Sequence, residues 1–238
     1  MKITIGHLYP DMLNLYGDIG NIYAMKHRLN VRGIDAEIKT YSIEDDIDFS
    51  ELDIVFIGGG GDKEQLTVCN RLRSMSKDLI DYAEKGGVVL AVCGGFEILG
   101  KFYKTDKATV EGVGLLDIST EYDSTRLIGN VVVDSEFLGT TIVGFENHNG
   151  RVNIGEHLPL GKVISGYGHN GDGLEGVVYK NVIATYLHGP LLPKNPALTD
   201  LIIKKAIENR YGEFELAPID DTVEMAAHKY VLGRFGGI

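Results

Sequence analysis

Val88-Val89-Leu90-Ala91-Val92-Cys93-Gly94-Gly95-Phe96-Glu97-Ile98-Leu99-Gly100 passes from an apolar, β-branched run straight into a double glycine and a helix-like segment. The apolar run reads as a strand buried on both faces, which is the signature of a parallel sheet between helix layers. Glycine at the start of a packed helix costs about 1 kcal/mol relative to alanine. It is useful where the backbone must turn tightly or let another group approach. A strand that becomes a helix through one residue flanked by glycines is a nucleophile elbow. The side chain of Cys93 is then pushed out beyond the carboxyl edge of the sheet. The first N–H groups of the following helix favour a thiolate and can hold an oxyanion. A cysteine after an apolar strand is otherwise a small buried hydrophobe; the two glycines turn the reading toward covalent acyl chemistry.

The segments before Cys93 alternate. Residues 3–8 read as a strand, 19–29 as a helix with Ile22, Met25 and Leu29 on one stripe, and 34–41 as a strand. Residues 53–57 form a short buried strand that runs into Gly58, Gly59, Gly60 and Gly61. Residues 63–84 read as a long helix with a break near Arg73-Ser74. Strands alternating with helices give an α/β fold with a mostly parallel sheet covered on both faces. From 110 to about 186 the pattern changes to short β-rich pieces (128–134, 141–145, 162–165, 176–179, 182–186) between glycine and asparagine turns. These predict antiparallel strands and hairpins added to the sheet. Residues 195–209 and 221–231 read as helices, the second with an acidic cap at Asp221. With no repeat or linker, the expectation is one domain over residues 1–238.

In open parallel sheets the ligand crevice lies outside the carboxyl ends of the strands. Three exits converge there if their strands run parallel: the four glycines, Cys93-Gly94-Gly95, and Leu187-His188-Gly189-Pro190 after residues 182–186. His188 is then the base for Cys93 and later the acid for a leaving amine. The four glycines lack the Gly-Lys-Ser/Thr of a phosphate loop, and Asp62 would repel phosphate. They read better as an oxyanion loop, with one N–H from it joining that of Gly94.

Composition bounds the rest. The chain has 238 residues, 44% hydrophobic and 24% charged, as in ordinary soluble globular proteins. A net charge of −11 argues against nucleic acid and anionic membrane surfaces as partners. Cys69 and Cys93 are the only cysteines, so there is no disulfide framework and no metal quartet. Cys69 falls mid-helix and reads as structural. No stretch is apolar enough to span a bilayer, and residues 1–6 read as a strand from the outset, so a reducing cytoplasm is expected. His148, beside Glu146, falls among turn residues and reads as a pocket or surface residue. Asp11, Asp18 and Asn21 are of catalytic residue types, but their setting among turn residues favours a loop-capping or partner-facing role.

Ala91-Val92-Cys93-Gly94-Gly95-Phe96-Glu97-Ile98-Leu99-Gly100 resembles the nucleophile segment of class I, triad-type glutamine amidotransferases. Gly144-Phe145-Glu146-Asn147-His148-Asn149-Gly150 and Thr185-Tyr186-Leu187-His188-Gly189 are similar to its cobyric-acid-synthase-like branch. The run from His7 to Asn21 resembles the stand-alone subunits of that branch that work on lipid II of the cell wall. The resemblance implies a flavodoxin-like fold and L-glutamine as substrate. It makes Cys93 the nucleophile and His188 its acid/base, with the oxyanion held by Gly60 and Gly94 and the α-carboxylate of glutamine gripped by Arg126. It also implies a heterodimer with a MurT-like Mur ligase subunit that carries ATP and Mg. That partner uses the ammonia to amidate the α-carboxyl of D-glutamate in lipid II. A corrinoid acceptor, a partner-independent γ-glutamyl cysteine hydrolase and a non-catalytic module that kept the fold remain alternatives. The cobyric-acid enzymes fuse the amidotransferase behind another domain; this chain starts at its first strand, which adds to the expectation of a separate partner.

Three positions depart from the pattern. Glu97 stands where cobyric-acid enzymes carry glutamine, and Ala91 where they carry glycine. Pro190 stands two residues after the histidine, where the family commonly has glutamate. His188 is therefore expected to take its orienting acid from the partner chain.

Overall fold

Ile54, Val55, Phe56 and Ile57 are all fully buried, as a strand sandwiched between two helix layers must be. In the computed structural model, which describes residues 1–236, the chain runs in order through the following elements. They are β1 (Lys2–Leu8), α1 (Ile19–Val31), β2 (Asp35–Tyr41), β3 (Ile54–Ile57), α2 (Asp62–Ser74), α3 (Ser76–Glu84), β4 (Val88–Val92) and α4 (Gly94–Ile98). There follow β5 (Phe102–Lys104), β6 (Thr109–Glu111), β7 (Ser119–Ser135), β8 (Thr140–Asn153), β9 (Gly161–Ser165), β10 (Leu174–Glu175), β11 (Val177–Tyr179), β12 (Val182–Thr185), α5 (Pro196–Tyr211) and α6 (Thr222–Phe235).

The first sheet has the order β11-β12-β4-β3-β1-β2. All its neighbours are parallel except β11, which joins the edge antiparallel. Alternate residues of one strand feed opposite cores. Val55 and Ile57 pack with Val68, Leu72 and Phe96 under α2, α3 and α4. Ile54 and Phe56 pack with Met25, Leu29 and Ile202 under α1 and α5. This is the mostly parallel α/β arrangement the sequence predicts. The expected break in the long helix falls at Met75, whose φ of −116° and ψ of 16° leave the helical range.

The later strands correct the sequence reading. Only β11 and β12 extend the first sheet, β12 parallel to β4 and β11 antiparallel at its edge; the others do not. They build a second sheet of order β10-β9-β7-β5-β6, with β8 also paired to β7. The pieces at 128–134 and 141–145 belong to two long strands of 17 and 14 residues, whose pairing shifts once, between Tyr122 and Leu127. Asp221 does not cap α6. It accepts a 2.5 Å bond from Arg28, while Asp220 takes the Thr222 N–H at 2.9 Å. Among the described residues no helix is long and apolar enough to cross a membrane.

Candidate active site

Cys93 has φ 53° and ψ −110°, a conformation that costs a non-glycine residue on the order of 1–3 kcal/mol. The neighbours hold it there. Its N–H donates to Thr185 O on β12 (2.8 Å), and the Gly95 N–H donates to Gly58 O at the end of β3 (3.2 Å). Gly95 has no room for a side chain: a Cβ there would lie 2.6 Å from Ile57 O. The elbow is thus pinned between the two strands that flank β4.

β12 runs parallel to β4 and delivers His188 just beyond its end. The backbone of His188 exchanges two bonds with Phe145 of β8, His188 N–H to Phe145 O (2.8 Å) and the reverse (3.2 Å). The second sheet therefore fixes the histidine that the first sheet supplies. Gly59 reports how close thiol and imidazole come. A Cβ on it would lie 2.8 Å from Cε1 of His188, 3.0 Å from Cβ of Cys93 and 3.5 Å from its Sγ. The cysteine is half-buried and the histidine fully buried.

Asp18, from the loop between β1 and α1, lies 3.3 Å from His188 Nδ1 through Oδ1, and both residues are fully buried. The expectation that no carboxylate of this chain reaches His188 is corrected by this contact. So is the reading of Asp18 and Asn21 as partner-facing: both are buried, and Asn21 Oδ1 accepts the Leu192 N–H (2.8 Å). Nε2 of His188 carries no hydrogen bond and is the ring atom left for the thiol. Burial works against the imidazolium, but Cys93 and Asp18 together outweigh it and push His188 up to about 10.

Gly59 N–H donates to the second oxygen of Asp18 (3.0 Å). Gly60, next along, lines a cleft of about 350 Å³ together with Cys93, Gln65, Glu97, Arg126, Asn147 and His148. The amide nitrogen of Gly60 is 3.4 Å from the point that a Cβ on Gly94 would occupy, so the two glycines face each other beside the sulfur. Arg126 sits at the irregular stretch of β7 and donates to Asn147 Oδ1 (2.7 Å). Asn147 in turn bonds the hydroxyl of Tyr16, whose ring lies 5.1 Å from that of His188.

The cleft floor was not legible as such. Glu97 accepts from Tyr186 Oη (2.5 Å) and Gln65 Nε2 (2.6 Å), and burial raises its pKa. His148 is buried, not on the surface. It stacks on Tyr186 with centroids 3.6 Å apart and donates from Nδ1 to Gly150 O (2.8 Å). Cys69 is buried away from the cleft, and burial pushes its thiol up to about 11. Of the residues singled out in the sequence, Cys93, His188, Gly60, Gly94 and Arg126 come together. Asp18, Gln65, Asn147 and Tyr186 join them without a sequence signal that separates them from capping and core residues.

The arrangement offers a thiol, a base, paired backbone donors and a cation around one small cleft. Residues 4–196 match the CobB/CobQ-like glutamine amidotransferase domain. The chain is 43% identical, over 98% of its length and 96% of the relative's, to the lipid II isoglutaminyl synthase (glutamine-hydrolyzing) subunit GatD of Staphylococcus aureus. It is 37% identical to the same-named subunit of Streptococcus pneumoniae, over 89% of this chain and 83% of that one. Two solved structures share the fold. A glutamine amidotransferase superposes with a TM-score of 0.58 at 17% identity, covering 84% of this chain and 98% of that one. The glutaminase domain of Trypanosoma brucei CTPS with bound acivicin gives 0.56 at 12%, covering 90% and 96%. The chain belongs to the CobB/CobQ-like glutamine amidotransferase family.

Proposed function

We propose that this chain is the glutaminase subunit of an amide-forming carbon–nitrogen ligase. It hydrolyses L-glutamine through a Cys93 γ-glutamyl thioester and passes the ammonia to a MurT-like Mur ligase subunit. ATP and Mg belong to that partner. The acceptor is the α-carboxyl of D-glutamate in lipid II, which becomes D-isoglutamine; the names of the two bacterial relatives support this. The observation that carries the chemistry is the packing of thiol and imidazole over Gly59. The chain, residues 1–238, serves as one glutaminase domain. The backbone pair between Phe145 and His188, which crosses between the two sheets inside the site, supports that.

Glutamine enters with its α-carboxylate on Arg126, a job suited to a planar guanidinium. Cys93 Sγ, its proton already held on His188 Nε2, attacks the side-chain carbonyl carbon. The oxyanion falls to the N–H groups of Gly60 and Gly94; losing one such donor typically costs about 3–4 kcal/mol of transition-state stabilisation. The C–N bond breaks as Nε2 returns the proton to the amine, and ammonia leaves. Water then attacks the thioester while His188 takes its proton, and glutamate departs as Sγ is released.

The test uses the complex with its ligase partner, ATP and lipid II. Cys93→Ala is expected to abolish glutamine-driven amidation and leave amidation by added ammonia intact. Loss of both activities would make Cys93 structural. Glutamine turnover by the chain alone at the rate of the complex would favour the partner-independent hydrolase. A glutamine-analogue electrophile is expected on Cys93 and not on Cys69.

A further inference from the structure

We infer that Tyr16 is a positioning residue for the substrate: its hydroxyl sets the amide of Asn147, and through that amide it holds Arg126 where the α-carboxylate of glutamine arrives. The inference rests on the reading above, in which Cys93 attacks a glutamine gripped by Arg126. Tyr16 lies in the loop between β1 and α1, with φ 56° and ψ 21°. That left-handed conformation is unfavourable for a tyrosine, because Cβ crowds the carbonyl that follows. Burial does little to offset it, since the residue stays 47% exposed. The loop is pinned on both sides of it. Leu15 N–H donates to Gly59 O (3.0 Å), and Asn14 Oδ1 accepts from Ile19 N–H (2.8 Å).

The contacts that the Tyr16 side chain does make lie in the active site. Its ring is tilted against those of His188, with centroids 5.1 Å apart, and Phe145, at 6.0 Å. Its hydroxyl accepts from Nδ2 of Asn147, 131 positions away. Oδ1 of the same amide accepts from Nη1 of Arg126 (2.7 Å).

The polarity of this chain is forced. A guanidinium has donors only, so Asn147 must turn its oxygen to Arg126. Its NH2 group then needs an acceptor, and Tyr16 Oη supplies one. A turned amide would set NH2 against the guanidinium, and the hydroxyl opposes that turn. Arg126 has little else to fix it. It is exposed, it sits where the register of β7 against β8 shifts, and among the described residues its guanidinium makes no other hydrogen bond. A ring seated on His188 and a hydroxyl on Asn147 together set the spacing between the acid/base and the carboxylate grip. Glutamine must span that spacing to place its side-chain carbonyl at the sulfur.

Steady-state glutamine hydrolysis by the complex with the ligase partner tests this, with each variant made in the wild-type chain and again in Arg126→Ala. Tyr16→Phe keeps the ring and removes the hydroxyl. It is expected to raise KM about 5-fold, the effect of one neutral hydrogen bond, with kcat within about 2-fold. In Arg126→Ala the same substitution is expected to move KM less than about 2-fold, because the group it acts through is gone. Asn147→Ala is expected to give the same pair of results, and it carries the test if Tyr16→Phe does not fold. A KM unmoved by Tyr16→Phe, or raised equally in both backgrounds as a merely structural role requires, overturns the inference. So does a variant that loses only thermal stability. An Arg126→Ala complex with wild-type KM overturns it by a separate route, because the glutamine-binding reading above has then failed first.

Discussion

Arg126 is held on the cleft wall by Asn147, with the rest of its guanidinium free for an anion. A charge-assisted contact to the α-carboxylate is worth on the order of 2–3 kcal/mol, and it is made alike in ground and transition states. Arg126→Ala is therefore expected to raise KM for glutamine on the order of 50-fold while kcat stays within a few-fold, as read from steady-state kinetics. Gly59 makes the opposite prediction. Its added Cβ would meet both Cys93 and His188, and a misplacement near 1 Å can cost about 10²-fold. Gly59→Ala is expected to lower kcat by about that factor, with unfolding curves that show a folded protein. Cys93 and His188 were legible because their signals are local: an apolar strand, a double glycine, and a histidine at a strand exit. Asp18 was not, because an aspartate before a helix reads as a cap and its contact spans 170 positions.

The ribbon of β7 and β8 brings Arg126, Asn147 and His148 to the cleft and clamps the backbone of His188. Its anchorage is Asn195, whose side chain accepts from Val143 N–H (2.9 Å) and donates to Val143 O (2.8 Å) and Leu191 O (2.7 Å), all buried. It acts as a one-residue strand against β8. Asn195→Ala strands the amide and carbonyl of Val143, at about 1–3 kcal/mol for each unsatisfied group. A loss of roughly 2–5 kcal/mol is expected in urea denaturation, with a fall in glutaminase rate as His188 loosens. The ribbon was hard to read because its glycines and asparagines look like turns. Gly150 is there for clearance, since a Cβ would come within 2.2 Å of Tyr186 Oη and 2.4 Å of Glu97 Oε1. The irregular register between Tyr122 and Leu127 broke the alternation further. The first sheet carried no such interruptions, and its strands were found within a residue or two.

At the scale of the whole molecule, four buried titrating groups outside the acid–base pair bear on how stability changes with pH: His7, His169 and Glu175, and Glu97, which burial raises as it does Glu175. His7 and His169 are held at about 4, in both cases chiefly by burial, against 6.5 for a free imidazole. The unfolded chain takes up these two protons from about pH 6.5 downward and the folded chain only near 4, so acid weakens the fold across that window. Glu175 acts in the other direction. Burial raises it to about 7 from 4.5, so the folded chain keeps a proton that the unfolded chain gives up, and stability falls as pH rises from 4.5 to 7. Where the windows overlap, two histidines oppose one carboxylate. For His7, His169 and Glu175 alone the net is about one proton, or roughly 1.4 kcal/mol per pH unit, favouring higher pH. Above 6.5 only Glu175 remains of the three, and the sign reverses. The contribution of these three groups to stability in urea is thus expected to be greatest near pH 6.5. His169→Gln is expected to flatten the acid limb, because neither ring nitrogen of His169 has a hydrogen bond to lose. Glu175→Gln should steepen the acid limb and remove the fall between 6.5 and 7. An acid limb unchanged in both variants would mean that other groups govern it.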